Sequence, residues 1–168
     1  MPDPSLPSWR PGEPFLDDYL QFLLATASGL ASHPFHLQVQ ATGVAVAEWR
    51  VLACLTDRDG QTITELARLA QMEQSRLTRV VERMEKRGYV TRVRQAEDRR
   101  KVHVWLAEPG RSIGLDLVHG ARQHEAVFLA ANLTAAEGAR LHAAAAQRLD
   151  PYGRGHFGAG ALIGALRE

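Results

Sequence analysis

Apolar positions recur three and four residues apart along most of this chain and give way to alternation over one short stretch. The pattern predicts a mainly α protein with a small β-hairpin. After a proline-rich flexible leader, residues 1–14, an apolar stretch from Phe15 to Leu37 carries Phe15, Tyr19, Phe22 and Leu23 at helical spacing. It predicts a first helix that ends near Pro34 and is too apolar to stand alone. A second helix is expected from about Val46 to Thr56, followed by a turn at Asp57-Arg58-Asp59-Gly60. Thr62 with Glu65 three residues on forms a capping box that opens a short helix to Ala70, with Ile63, Leu66, Ala67 and Ala70 on one face. A tight turn around Gln71 and Met72 leads to a further helix, Glu73 to Arg87. Its apolar stripe is Leu77, Val80, Val81 and Met84, and Gly88 closes it.

Residues 89–94 and 101–106 alternate apolar with polar or aromatic side chains around a polar loop, Gln95 to Arg100, and so read as a half-buried hairpin with a wing at its tip. Pro109 suits the start of a helix running to about Ala131, and Thr134 with Glu137 forms a second capping box opening a helix to Leu149. The expected organisation is an N-terminal helical segment at 15–43, a winged helix-turn-helix at 44–107, C-terminal helices at 108–150 and a glycine-rich tail at 151–168.

The net charge of +1 conceals an uneven distribution. Residues 58–105 hold twelve Lys or Arg against seven Asp or Glu, while the rest of the chain holds eight against twelve. A basic segment on a nearly neutral protein suits phosphate binding, although a solvated helix face gives the same count. The apolar runs are too short for a membrane span and the leader lacks a signal pattern, so a cytoplasmic protein is expected. The lone Cys54, in an apolar run, reads as a small buried hydrophobe rather than a redox sensor. His119 and His124 lie about 140° apart on a helix, and Pro34 separates His33 from His36, so no metal site is expected. Neither a phosphate-binding glycine loop nor a nucleophile elbow is present; no enzymatic activity and no cofactor are expected.

Two short helices joined by a tight turn form a helix-turn-helix, whose second helix enters the major groove of DNA. With the apolar stripe inward, Ser75, Arg79, Glu82 and Lys86 point directly away, and Arg76, Thr78 and Arg83 lie on the flanks. Gln74, Ser75, Arg76, Thr78, Arg79 and Arg83 are therefore the candidate contacts of this helix, because Arg can bond guanine bidentately and hydroxyls suit phosphates or base edges. In the wing, Arg99, Arg100 and Lys101 can reach the minor groove, while Asp98 pairs with a neighbouring Arg to hold the loop's shape. A winged helix used for protein–protein contact is the alternative, and salt-dependent binding to duplex DNA separates the two.

From about Val44 to Arg111 the chain resembles the multiple-antibiotic-resistance regulator (MarR) family. The resemblance runs through Glu48-Trp49-Arg50-Val51-Leu52, Thr64-Glu65-Leu66-Ala67, the long block Leu77 to Val90, and Asp98-Arg99-Arg100. It implies a homodimer assembled through the flanking helices that reads a palindromic promoter site on double-stranded DNA, usually as a repressor released by a small aromatic ligand. The family often has a capping Thr where this chain has Ala45 and Ala107, and a smaller residue where it has Trp105. Together with the local chemistry, the resemblance points to a small aromatic or carboxylate effector near His33, His36, Trp49 and Arg50. These residues offer a stacking surface and anion-binding donors beside an expected helix end. The plainer reading makes Trp49 a core residue and Arg50 a structural partner.

Overall fold

The computed structural model describes residues 12–95 and 101–148. Six helices and three short strands follow in the order α1 (Leu20–Ala41), α2 (Val46–Asp57), β1 (Gln61–Thr62), α3 (Ile63–Leu69), α4 (Gln74–Lys86), β2 (Val90–Arg94), β3 (Val102–Leu106), α5 (Glu108–Asn132) and α6 (Ala135–Arg148). Residues 1–11, 96–100 and 149–168, the second of which include most of the loop expected to form the wing, lie outside the described residues. The architecture is a winged helix-turn-helix preceded in the chain by α1 and followed by α5 and α6, with α1 and α5 packed against each other.

The first helix differs from its sequence expectation at both ends. It begins at Leu20, with Tyr19 as its N-cap, and runs through Pro34 to Ala41. An interior proline removes one amide and crowds the preceding turn, at a cost of about 3 kcal/mol. Beyond Pro34, Phe35 and Val39 are buried in the main core. Burial of two such side chains contributes roughly 1.5–3 kcal/mol each, enough to carry the helix past the break.

The capping expectations at Thr62 and Thr134 hold in atomic detail. Thr62 Oγ1 accepts the Glu65 N–H at 3.2 Å while Glu65 Oε2 accepts the Thr62 N–H at 2.9 Å, and Thr134 and Glu137 repeat the exchange at 3.4 and 2.8 Å. Glu65 and Glu137 are held below the usual carboxylate range by these bonds from Thr62 and Thr134. Ala45 has no oxygen to offer at the start of α2, so only half of the exchange survives there: Glu48 Oε2 accepts the Ala45 N–H at 3.1 Å. Leu77, Val80, Val81 and Met84 of α4 all point into the core, as their spacing predicts, and Gly88 ends the segment with a φ of 72°.

The hairpin is one strand larger than the alternation implies. The antiparallel sheet has the order β1-β3-β2, with Gln61 opposite Val104 and Arg92 opposite Val104 from the other side. β1 carries no period-two signal because it is only two polar residues long. It is held by its side chain, since the buried Gln61 amide donates to the Cys54 and Arg58 carbonyls at 2.8 and 2.7 Å. Asp59 fastens the sheet to α5: its Oδ1 accepts the Gly60 and Leu106 amides, each at 2.9 Å, and its Oδ2 accepts from Arg111 at 2.7 Å. Trp105, exposed on the outer face of the sheet, lies over Gly60.

α5 starts where the chain turns back onto Tyr89, whose carbonyl accepts the Ala107 N–H at 3.0 Å. Gly110 is buried in that turn, and a Cβ there would collide with the Tyr89 backbone carbonyl, which has no rotamer to move into. Gly110→Ala should therefore destabilise the fold by about 1–3 kcal/mol in urea titration. Gly138→Ala on α6, where an added Cβ meets nothing within 4 Å, should stabilise by up to about 1 kcal/mol. Equal midpoints for the two variants would contradict this account of the α5 docking.

Candidate nucleic-acid interface

The helix-turn-helix is α3 and α4 joined by residues 70–73. The turn is closed by the Met72 N–H on the Ala67 carbonyl at 2.9 Å and by Gln71 at a φ of 52°. With its apolar stripe sealed in the core, α4 presents Gln74, Ser75, Arg76, Arg79, Arg83 and Lys86 to solvent, and Thr78 is half-buried. Ser75 donates to Glu73 at 2.7 Å and Thr78 to the Gln74 carbonyl at 2.9 Å, so both hydroxyls are held close to the N-terminal turn. Arg76, Arg79 and Arg83 form no ion pair among the described residues.

The acidic residues of α4 behave differently. Glu85 pairs with Arg92 of β2 at 2.7 Å and Glu82 pairs with the same guanidinium at 3.4 Å. Hydrogen bonding from Arg92 holds the Glu85 carboxyl below its usual range, and Glu85 in turn raises Arg92. The cations that are left without partners and the anions that are neutralised therefore share one helix. Arg92 was not among the sequence candidates, because nothing in the spacing of a strand arginine and two helix glutamates announces their contact.

A groove of about 480 Å³ runs between α3, α4 and the wing base, lined by Thr62, Ile63, Thr64, Gln74, Thr78, Arg92, Lys101 and Val102. It brings Gln74, Thr78 and Lys101 together and adds the hydroxyls of Thr62 and Thr64, which the sequence reading left out. Asp98, Arg99 and Arg100 lie outside the described residues.

The other set of candidates is only partly assembled. Because α1 continues to Ala41, His33 and His36 stand in the body of a helix and not at its end. Burial lowers the pKa of His36, and the nearby Arg50 and His33 charges add to the effect. Trp49 is half-buried, with its ring edge-on to Phe35 at 5.4 Å, and it borders a second cleft with Val118, Ala121, Arg122 and Glu125. Trp49 and Arg50 share a cleft of about 320 Å³ with Ala53, Cys54, Leu69, Ala70 and Gln71, and neither histidine lines it. Histidine 124 reaches the Ala31 carbonyl at 2.8 Å, and no three metal-ligating side chains converge among the described residues. No helix among the described residues is long and apolar enough to cross a membrane.

Residues 45–102 match the model of the MarR family. A crystal structure of a MarR family transcriptional regulator from Silicibacter pomeroyi is 41% identical and covers 92% of this chain and 98% of its own, with a TM-score of 0.63. The homoprotocatechuate degradative operon repressor of Escherichia coli is 27% identical over 119 residues, which is 68% of this chain and 80% of the repressor. The structure of Bordetella bronchiseptica BpsR, described for the regulation of its DNA binding by 6-hydroxynicotinic acid, shares the fold at 22% identity. Its TM-score is 0.69, and the match covers 77% of this chain and 98% of BpsR.

The Cys54 thiol, half-buried in the Trp49–Arg50 cleft, is pushed up to about 11 from its ordinary 9.0 by burial and then by the negative charge of Asp57. At pH 8 only about one molecule in a thousand then carries the thiolate. Alkylation of the folded protein by iodoacetamide at pH 8 should run at least about tenfold slower than in urea. The unfolded chain deprotonates first, near 9.0, so this group favours unfolding increasingly as pH rises from there towards 11. Labelling at neutral pH as fast as that of an exposed thiol would refute the assignment.

Proposed function

The chain belongs to the MarR family of transcriptional regulators, and from that premise we propose that it is a DNA-binding repressor acting as a homodimer on a palindromic promoter site and released by a small effector. The observation that carries this reading is the charge pattern of α4: Arg76, Arg79 and Arg83 stand exposed and unpaired among the described residues, while Glu82 and Glu85 are tied to Arg92. Placed in a major groove, the first turns of α4 offer Gln74, Ser75, Arg76, Thr78 and Arg79 to bases and phosphates, with Arg83 beyond them. Lys101 at the wing base extends the cationic surface. The assignment of Asp98, Arg99 and Arg100 to the wing's minor-groove contact rests on the sequence and its resemblance.

Dimerisation through the flanking helices is supported by the apolar side chains they leave in solvent. Leu20, Leu24, Leu30 and Leu37 of α1, Leu115 and Val127 of α5 and Leu141 of α6 are all more than half exposed. A partner copy seated on these helices would take such side chains out of water. An aromatic or carboxylate effector is favoured by the Trp49–Arg50 cleft and by the relative named for a homoprotocatechuate degradative operon. Trp49 and Arg50 are its proposed contacts, with His36 close enough to Arg50 for its titration to feel bound anion.

Two measurements test the reading. The protein should sediment as a dimer at micromolar concentration, and a monomer there removes the palindrome from the proposal. Arg79→Ala should weaken binding to an operator selected by the wild-type protein by about 1–3 kcal/mol, with a smaller loss on random duplex. Equal losses on both would make Arg79 a phosphate contact. Absence of binding to any duplex at low salt would instead leave a winged-helix protein-interaction module.

A further inference from the structure

Gln74, Thr78, Glu82 and Glu85 follow one another along one flank of α4; Gln74 and Thr78 line the groove at the wing base together with Arg92 and Lys101, and Glu82 and Glu85 continue that flank beyond the groove. Two glutamates one turn apart repel each other and would also repel a phosphate backbone passing between α4 and the wing. Arg92 sits across from them on β2, the edge strand of the sheet. Its Nε donates to Glu85 Oε2 at 2.9 Å, its backbone N–H donates to Glu85 Oε1 at 3.3 Å, and its Nη1 donates to Glu82 Oε1 at 3.4 Å. One guanidinium thus draws both carboxylates towards the sheet and clamps the wing base to α4.

We propose that Arg92 is a positioning residue for DNA binding: it acts through Glu82 and Glu85, offsetting half of their combined charge and holding them off the phosphate path, and does not itself contact DNA. This rests on the DNA-binding reading above. The geometry favours it over a direct contact, because each of the three guanidinium nitrogens already faces a carboxylate, at 2.9 and 2.7 Å for Glu85 and 3.4 Å for Glu82, which leaves no edge of the guanidinium with both donors open for a bidentate phosphate contact. The side chain is only about one-third exposed, at 32%. Arg76 and Arg79, by contrast, are exposed and have no ion-pair partner among the described residues.

The test is a mutant cycle read in DNA affinity. Wild type, Arg92→Gln, Glu82→Gln with Glu85→Gln, and the triple variant are titrated with a 30-base-pair random duplex and with an operator selected by the wild-type protein from a random pool, at two salt concentrations. In the wild-type background, loss of Arg92 uncovers two carboxylates and should weaken binding on the order of tenfold at low salt. In the background that lacks both carboxylates, the same substitution should change affinity by less than about twofold, because there is nothing left to cancel. A loss of equal size in both backgrounds would make Arg92 a DNA contact and overturn the proposal. If Arg92→Gln alone fails to fold, by its circular dichroism melt, the comparison between the carboxylate-free double and triple variants still decides. Failure of the wild-type protein to bind either duplex would remove the DNA-binding reading itself, and this proposal with it, an outcome distinct from an unrescued Arg92 variant.

Discussion

The ion pair between Glu48 and Arg87 sets where the C-terminal end of α4 sits. Glu48 is 3% exposed, its Oε2 accepts both the Ala45 N–H at 3.1 Å and Arg87 Nη1 at 2.8 Å, and so the carboxylate that starts α2 also holds the end of α4. Arg87 completes the junction by donating to the Gly43 carbonyl at 3.0 Å and the Tyr89 hydroxyl at 2.7 Å while lying over the Tyr89 ring. Desolvating Glu48 costs free energy that the pair only offsets, with Arg87 still 40% exposed, so its contribution is to specificity of arrangement more than to net stability. The rotation of α4 is fixed by its buried stripe of Leu77, Val80, Val81 and Met84, and the pair adds a fixed point beyond the end of that stripe, joining the close of α4 to the start of α2.

With α4 fixed at its C-terminal end, the wing is fixed by two further charges. Asp59 joins the turn before β1 to the end of β3 and to Arg111 of α5, and Arg92 joins β2 to the C-terminal turns of α4. Neither pair is worth much as an isolated surface ion pair. Their value lies in joining elements that the apolar core touches on one side only: Val90, Val104 and Leu106 anchor the inner face of the sheet in the core, and these links add fixed points at its polar margins.

The parts of this arrangement that depend on neighbours in sequence were legible there. The apolar stripe of α4, both capping boxes, the hairpin and the closing Gly88 all follow from spacings of one to four residues, and the wing and helix-turn-helix follow from their order. What was not legible depends on partners far along the chain. Helix α1 passes Pro34 because Phe35 and Val39 are buried by elements folded from later sequence. β1 exists because Gln61 caps the end of α2, and Arg92 belongs to the site because β2 brings it beside α4. The grouping of His33 and His36 with Trp49 and Arg50 took Pro34 as a helix end; with the helix continuous, His36 remains near Arg50 but outside the cleft that Trp49 and Arg50 line.

The same long-range contacts connect the flanking helices to α4. α5 lies so close to α2 that a Cβ on the buried Gly114 would run into the Thr56 hydroxyl, with Leu52 alongside. α1 meets both helices through Phe35, whose ring contacts Trp49 of α2 at 5.4 Å and His124 of α5 at 5.8 Å. Phe35 and Gly114 therefore join α1 and α5 to α2, and the Glu48–Arg87 pair joins α2 to α4. The exposed apolar side chains of α1 and α5 and the exposed arginines of α4 thus stand on helices linked through one set of contacts, and a displacement of the first would have to be accommodated at Phe35, Gly114 or the Glu48–Arg87 pair before it reached the second.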